Sequence, residues 1–310
     1  MLAANGALSD MIAAGARILE SACGPCIGMG QAPRTGAISL RTNNRNFPGR
    51  SGTASAQVYL VSPEVAAVSA LTGVLTDPGS LGTPPVIAMP DHFIVNDNMI
   101  IEPAADGDTV TVVRGPNIRP FPVNQPLSGD LAGKALIKVE DNITTDHIMP
   151  SNAKLLPYRS NVPYLADYCL TPCDPEFPAR AKQAGGGLII AGANYGQGSS
   201  REHAALAPLQ LGIKAVLAKS FARIHMANLI NNGILPLSFQ NPEDYAAIGL
   251  MDELVIERAD EQVQNLVTGQ PLIVLNKTKN QQISCLLPLS ERQAAMLLAG
   301  GLLNATRKGT

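Results

Sequence analysis

Gly185-Gly186-Gly187-Leu188-Ile189-Ile190-Ala191-Gly192-Ala193-Asn194-Tyr195-Gly196-Gln197-Gly198-Ser199-Ser200-Arg201-Glu202-His203-Ala204-Ala205 is the stretch that decides the fold. Four apolar residues follow a glycine triplet, so 188–191 reads as a strand buried on both faces. A glycine-broken turn then leads into a helix expected over about 201–211. Ser199-x-x-Glu202 has the spacing of a capping box, which would make the serine the N-cap. Working outward, a strand is expected at 214–219, a helix at 222–231 and a strand at 234–238. An earlier strand is expected at 135–139. This alternation implies an α/β layer with some parallel pairing. The tail continues with strands near 253–256, 263–267, 271–275 and 281–287, then a helix at about 290–299.

Upstream, residues 1–20 are alanine-rich, with Leu8, Met11, Ile12 and Ile18 near helical spacing. A turn-rich stretch, 21–33, precedes short strands expected at 37–41 and 57–61. Ser62-Pro63-Glu64 marks a helix start, with Ser62 as N-cap and Pro63 at the first helical position. That helix should reach about residue 75. Residues 76–126 are rich in proline and read as a linker carrying short hairpin strands around Ile100 and at 110–113.

Composition narrows the function. The 310 residues suggest about two domains, and 45% hydrophobic residues suffice for a buried core. Charged residues make up 15%, against roughly 25% in an average domain. The net charge of −2 argues against a general nucleic-acid binder. No apolar run reaches the roughly 18 residues of a membrane span, and no signal peptide is visible at the N-terminus. Five cysteines do not suggest a disulfide framework, so a reducing cytoplasm is expected. The charge is uneven: no lysine precedes Lys134, yet Arg17, Arg34, Arg41, Arg45 and Arg50 crowd a region whose one acid is Glu20. Guanidinium forks suit bidentate recognition of carboxylate or phosphate.

Four segments carry candidate chemistry. Cys23-Gly24-Pro25-Cys26 fits zinc, an iron–sulfur cluster, a redox disulfide or two structural thiols. Glycines and a proline follow it, which suits a cluster-bearing loop better than a thioredoxin-like helix start. Asn44-Arg45-Asn46-Phe47-Pro48-Gly49-Arg50 is either an anion-binding loop or a hydrogen-bonded turn with surface arginines. Ser199 and Arg201 stand at an expected helix N-terminus, where unpaired N–H groups and the helix dipole favour an anion. Asp146-His147 could orient a neighbouring arginine or hydroxyl, although a cap with a satisfied histidine explains His147 by itself.

Taken together and in this order, these segments resemble the aconitase superfamily of hydro-lyases. Ala22-Cys23-Gly24-Pro25-Cys26-Ile27-Gly28 and Asn44-Arg45-Asn46-Phe47-Pro48-Gly49-Arg50 are similar to its cluster and substrate-arginine segments. Thr145-Asp146-His147-Ile148, Gly198-Ser199-Ser200-Arg201-Glu202-His203-Ala204-Ala205 and Lys219-Ser220-Phe221-Ala222-Arg223-Ile224-His225 resemble its C-terminal swivel domain, as does Asn232-Gly233-Ile234-Leu235-Pro236-Leu237. The resemblance implies an α/β chain in three parts. Residues 1–90 would be a remnant of the cluster-bearing α/β domain, 91–126 a linker, and 127–310 a complete swivel domain of β/β/α type.

It also implies the chemistry. Cys23 and Cys26 would be ligands of a 4Fe–4S cluster whose third cysteine is not in this chain, with Asn44 beside it. Arg45, Arg50, Arg159, Ser200 and Arg201 would bind the carboxylates of a tricarboxylate. Ser199 would be the catalytic base, and Asp146 a partner of these groups. Cys169, Cys173 and Cys285 read as structural. The implied reaction is the interconversion of citrate and isocitrate through cis-aconitate. The alternatives are a related acid (homocitrate, 2-methylcitrate or isopropylmalate) or a non-catalytic RNA-binding fragment without the cluster. The family's upstream acid residues are absent, so Met1 is expected to be internal to a longer parent. Activity is expected only with the N-terminal half as partner. Residues 1–90 are expected to fold poorly alone, because a parallel sheet cut open exposes a strand edge.

Overall fold

The computed structural model describes every residue except 20–23, 45, 47, 151–153 and 310. The chain divides into two compact units, Met1–Asp108 and Thr109–Thr310. Both mix helix and strand, so the fold is of mixed α/β type.

In the first unit, strands β1 (Ile38–Arg41) and β2 (Gln57–Leu60) pair in parallel, with Ile38 opposite Gln57 and Arg41 opposite Leu60. Helix α1 (Ala7–Ala13) is shorter than the alanine-rich pattern predicts and buries no side chain. Helix α2 (Pro63–Thr72) starts as expected: the Ser62 hydroxyl accepts from the Val65 amide, and Pro63 occupies the first turn. The hairpin strands expected around Ile100 and at 110–113 are not formed. Residues 82–123 are irregular apart from one short turn at Gly107–Thr109. Prolines at 84, 85, 90, 103 and 116 remove donors that a ladder would need, and Val86, Ile101 and Val113 are exposed.

The second unit is a closed barrel. β3 (Leu131–Val139), β4 (Gly187–Ala191), β5 (Ile213–Ala218) and β6 (Leu235–Phe239) run parallel in that order. β7 (Glu253–Ile256), β8 (Leu272–Asn276) and β9 (Gln281–Leu286) are antiparallel and close the ring, β6 to β9, β9 to β8, β8 to β7 and β7 to β3. The helices of this unit are α3 (Thr145–Ile148), α4 (Val162–Ala166), α5 (Phe177–Ala184), α6 (His203–Gln210), α7 (Arg223–Asn231), α8 (Asp244–Ala247), α9 (Ala259–Leu266), α10 (Glu291–Leu298) and α11 (Leu302–Lys308).

β4 shows why its sequence is apolar without interruption. Leu188 and Ile190 enter one core with Leu217, Leu237 and Val274, whereas Ile189 and Ala191 enter another with Leu165, Phe177 and Ala205. Successive side chains point to opposite faces, and each face of β4 meets apolar neighbours. The strand expected at 263–267 is a helix instead. Ala259, Val263 and Leu266 are buried at spacings of four and three, and Asp260 and Glu261 lie in the first turn, where carboxylates suit the helix dipole. The end of the expected linker is bonded to the barrel unit: the Arg119 amide donates to the Ser160 carbonyl, and the Asn124 side-chain amide to that of Gly233.

Backbone without ladder partners is where proteases cut. Limited proteolysis read by mass spectrometry is therefore expected to cleave within 82–118. It should leave a resistant fragment running from about residue 119 to the C-terminus with a cooperative melt. Equally fast cleavage between the barrel strands would contradict this.

Candidate functional site

The two units carry separate groups of candidate residues. In the first, Cys26 sits half-buried on a single 3-10 turn, Pro25–Ile27. Gly28 ends that turn with φ of 84°, and a Cβ there would lie 2.3 Å from the Ser51 carbonyl oxygen. Only glycine allows the thiol turn to rest on the loop that carries Arg50. The Arg50 guanidinium lies 3.8 Å from Cys26 Sγ, and Arg41 donates to the Pro25 carbonyl at 2.8 Å. Asn44 is exposed, while Cys23 and Arg45 lie outside the described residues. Among the described residues no group of three His, Cys, Asp or Glu side chains is placed to hold a metal ion. Cys26 on its glycine-framed turn has the chemistry of a cluster ligand, but it is one thiol and not a ligand set.

In the second unit, the loops that follow β3, β4 and β5 are laced together at the carboxyl ends of these parallel strands. The Gly196 amide donates to Ile143, the Thr145 amide to Gln197, the Tyr195 amide to Ser220 and the Ala222 amide to Tyr195, at 2.7–3.0 Å. The Thr145 hydroxyl donates to the Ser199 carbonyl at 3.0 Å. Asp141 accepts from the Ala193 amide at 2.7 Å. Asp146 on α3 forms an ion pair with Arg201. The Arg201 side chain is 16% exposed and that of Asp146 is 60% exposed. Solvent screens such a pair, so it contributes at most about 1 kcal/mol to stability, and its main effect is to fix the direction of the guanidinium.

A cavity of about 200 Å³ opens here, lined among others by Thr145, Ser199, Arg201, Arg223, His225 and Asn228. On its other side Arg201 lines a narrow cleft with Arg159 and His203. There His203 Nε2 and the Arg159 carbonyl are 2.8 Å apart. The structure thus brings Ser199, Arg201 and Asp146 together, with Arg159 next to Arg201. Ser200 is exposed.

One local expectation is corrected. Ser199 does not cap α6. The helix begins at His203, Glu202 holds the cap position, and no side chain closes a capping box. Gly196 and Gly198 both have positive φ and turn the chain before the helix starts. The cationic side chains that line the cavity with Ser199 are those of Arg201 and Arg223. His147, by contrast, is a satisfied cap residue. Its Nδ1 accepts from the Thr144 amide at 3.1 Å while its own amide donates to the Thr144 hydroxyl at 3.2 Å. Cys169 and Cys285 are fully buried; burial pushes the first thiol far up and the second to about 12, which suits structural thiols and not thiolate ligands. The more exposed Cys173 is also raised, by partial burial and then by Asp174.

Sequence reasoning missed His225. It lies on α7, two residues after Arg223, with its ring against the backbone of the Ser199 loop. Gly196 has φ of 82°, and a Cβ there would come 2.2 Å from the imidazole. The signal was available: His225 follows the end of a parallel strand by one short turn, where α/β proteins place functional side chains.

Two family models match the chain. One, described as aconitase family (aconitate hydratase), covers residues 1–73; the other, aconitase C-terminal domain, covers 173–242. The mitochondrial homoaconitase of Debaryomyces hansenii is 39% identical over 76% of this chain and 33% of its own length. A putative mitochondrial aconitate hydratase of Aspergillus fumigatus is 31% identical over 97% of this chain and 44% of its own length.

The chain belongs to the aconitase superfamily.

It spans about a third of the homoaconitases it matches. A solved 3-isopropylmalate dehydratase from Methanocaldococcus jannaschii is 33% identical over 58% of this chain and 95% of that chain, with a TM-score of 0.48.

Two outcomes follow from the His225–Gly196 contact. Burial lowers the His225 pKa from 6.5 to about 4, so the folded ring is neutral where the unfolded one is protonated. Unfolding then takes up a proton, and about 3 kcal/mol of stability, present above pH 6.5, is lost as pH falls toward 4. Urea unfolding between pH 7 and 4 checks this; His225→Phe should flatten the slope in that window. Gly196→Ala should destabilise the barrel unit by about 2 kcal/mol or more, through overlap with the ring and strain at positive φ, read as a lower thermal midpoint.

Proposed function

We propose that this chain is the C-terminal part of an aconitase-type hydro-lyase that removes and re-adds water on a tricarboxylate of the homocitrate kind. The observation that carries this reading is Ser199 beside Arg201 over one cavity, with Arg201 held by Asp146. The relatives named homoaconitase support the homocitrate class, at 39% and 37% identity. Citrate and isocitrate form the second reading, favoured by putative aconitate hydratases that match 97% of the chain at 31% and 32% identity. The RNA-binding alternative has little support in a chain of net charge −2.

In this reading residues 1–90 belong to the cluster-bearing domain, 91–126 connect, and 127–310 form the swivel domain. The chemistry is proton removal from a carbon next to a carboxylate. Ser199 takes that proton, and the developing dianion is stabilised by the guanidinium of Arg201. A serine hydroxyl is a poor base unless nearby positive charge lowers its pKa, and Arg201 supplies that charge. Arg45, Arg50, Arg159 and Ser200 hold the remaining carboxylates, and Asn44 stands near the cluster ligands. Cys26, with Cys23 by its spacing, would supply two of three thiolates to a 4Fe–4S cluster. When bound, that group offers a Lewis acid to the departing hydroxyl. The partner in this reading is the N-terminal part of the enzyme. Among the described residues no helix is long and apolar enough to cross a membrane. The matched relatives are named mitochondrial, so cysteine usage supports a reducing interior compartment without singling out the cytoplasm.

The test combines the chain with its N-terminal half and restores iron and sulfide. Absorbance of the unsaturated acid is then followed with homocitrate and citrate side by side. Turnover is expected, faster in the homocitrate series. Ser199→Ala should lower kcat by roughly 10²–10⁴ with KM changed little. No turnover of either acid in the combined preparation would overturn the proposal.

A further inference from the structure

One residue on the loop after β4 is bonded to all three loops that meet at the carboxyl ends of β3, β4 and β5. Asn194 stands at φ of 58°, in the left-handed region that asparagine enters more readily than most residues. Its backbone amide donates to the Ser220 hydroxyl at 2.8 Å, on the loop after β5. Its side-chain amide donates twice, to Asn142 Oδ1 at 3.1 Å on the loop after β3, and to Gln197 Oε1 at 2.9 Å within its own loop. Glycine would meet the backbone requirement at 194. The two donated bonds are what the asparagine adds.

The bond to Gln197 has one sense. Gln197 Nε2 donates to the Asn142 backbone carbonyl at 3.1 Å, a group that can only accept. The other end of the glutamine amide is therefore its oxygen, and that oxygen needs a donor, which Asn194 supplies. Gln197 is thus held at three atoms: Nε2 by the Asn142 carbonyl, Oε1 by Asn194, and its own carbonyl by the Thr145 amide at 2.9 Å. Gly196 and Gly198 flank it, both at positive φ. Glycine on either side leaves the backbone free to turn, so the ties on Gln197 supply the direction that the chain itself does not. Ser199 comes two residues after Gln197, and Arg201 four.

We infer that Asn194 is a positioning residue for Ser199 and Arg201, acting through Gln197 to fix the path of the segment that carries them. The inference rests on the reading that the Ser199 cavity binds the tricarboxylate. Asn194 has no contact with the acid in this account. It keeps the segment ordered before the acid arrives, so that binding does not have to order it.

The experiment compares the full ¹⁵N-labelled chain with two variants. Asn194→Gly tolerates the left-handed backbone and removes both donors, whereas Asn194→Asp keeps the size of the side chain and loses the donors. Each protein is melted, its backbone amide order parameters are measured, and it is titrated with homocitrate and separately with citrate while the Arg201 guanidinium signal is followed. Both variants should melt within a few degrees of the parent, because hydrogen bonds open to solvent contribute little. Order parameters over 197–201 should fall from about 0.85 toward about 0.6, while those of β4 and β5 keep the parent's values. Both variants should bind the acid about tenfold more weakly, since the loosened segment has to be ordered on binding. Unchanged order at 197–201, or parental affinity in both variants, overturns the inference; the cavity reading survives if the acid still shifts Arg201 in the parent. A loss of order in β4 and β5 as large as that at 197–201 makes Asn194 a residue of general stability and overturns it as well. If neither acid moves Arg201 in the parent, the cavity reading fails and the positioning role fails with it.

Discussion

The contact between the Gly196 backbone and the His225 ring is the constraint on which the candidate site depends. A side chain at 196 would overlap the imidazole at 2.2 Å, so the loop after β4 can seat on α7 only through glycine. Once seated, its amides and carbonyls bond to the loops after β3 and β5. Three connections that would each be mobile alone become one platform, and that platform holds Ser199, Arg201 and Thr145 around a single cavity. The parallel run of β3 to β6 makes this possible, because parallel strands bring the loops after their carboxyl ends to one side of the sheet.

Much of this was legible in the residues. The apolar run at Leu188–Ile190 is continuous because both faces of β4 are covered, and a strand with one solvated face would alternate. Ser62 announces its helix because a cap needs only neighbours three residues away. Ser199 has the same local pattern and does not cap. The chain turns at Gly196 and Gly198, both at positive φ, and α6 starts only at His203, four residues after Ser199; the Thr145 hydroxyl, 54 positions away, ties the Ser199 carbonyl, and such a long-range bond leaves no trace in the local sequence. The strand expected at 263–267 failed for a related reason. A short apolar run fits either period, and the burial of Ala259, Val263 and Leu266 against the barrel decides it.

The site residues divide in the same way. Asp146 and Arg201, which the sequence places 55 residues apart, form an ion pair. His225 stood inside a segment that resembles the family, yet its burial and unpaired nitrogens belong to tertiary structure. The two candidate groups also differ in kind. The barrel group is built from backbone ties between loops, whereas the Cys26–Arg50 group rests on one close glycine approach and a weak guanidinium–sulfur contact at 3.8 Å.

The central claim is that the three loops behave as one rigid platform, and amide hydrogen exchange on the full chain measures it directly. The amides of Thr145, Tyr195, Gly196 and Ala222, which tie the loops, should exchange as slowly as those of β4 and β5, within about tenfold, because all open in one cooperative unit. Exchange of these four amides at the rate of the irregular residues 84–105, while the strands stay protected, would contradict the account.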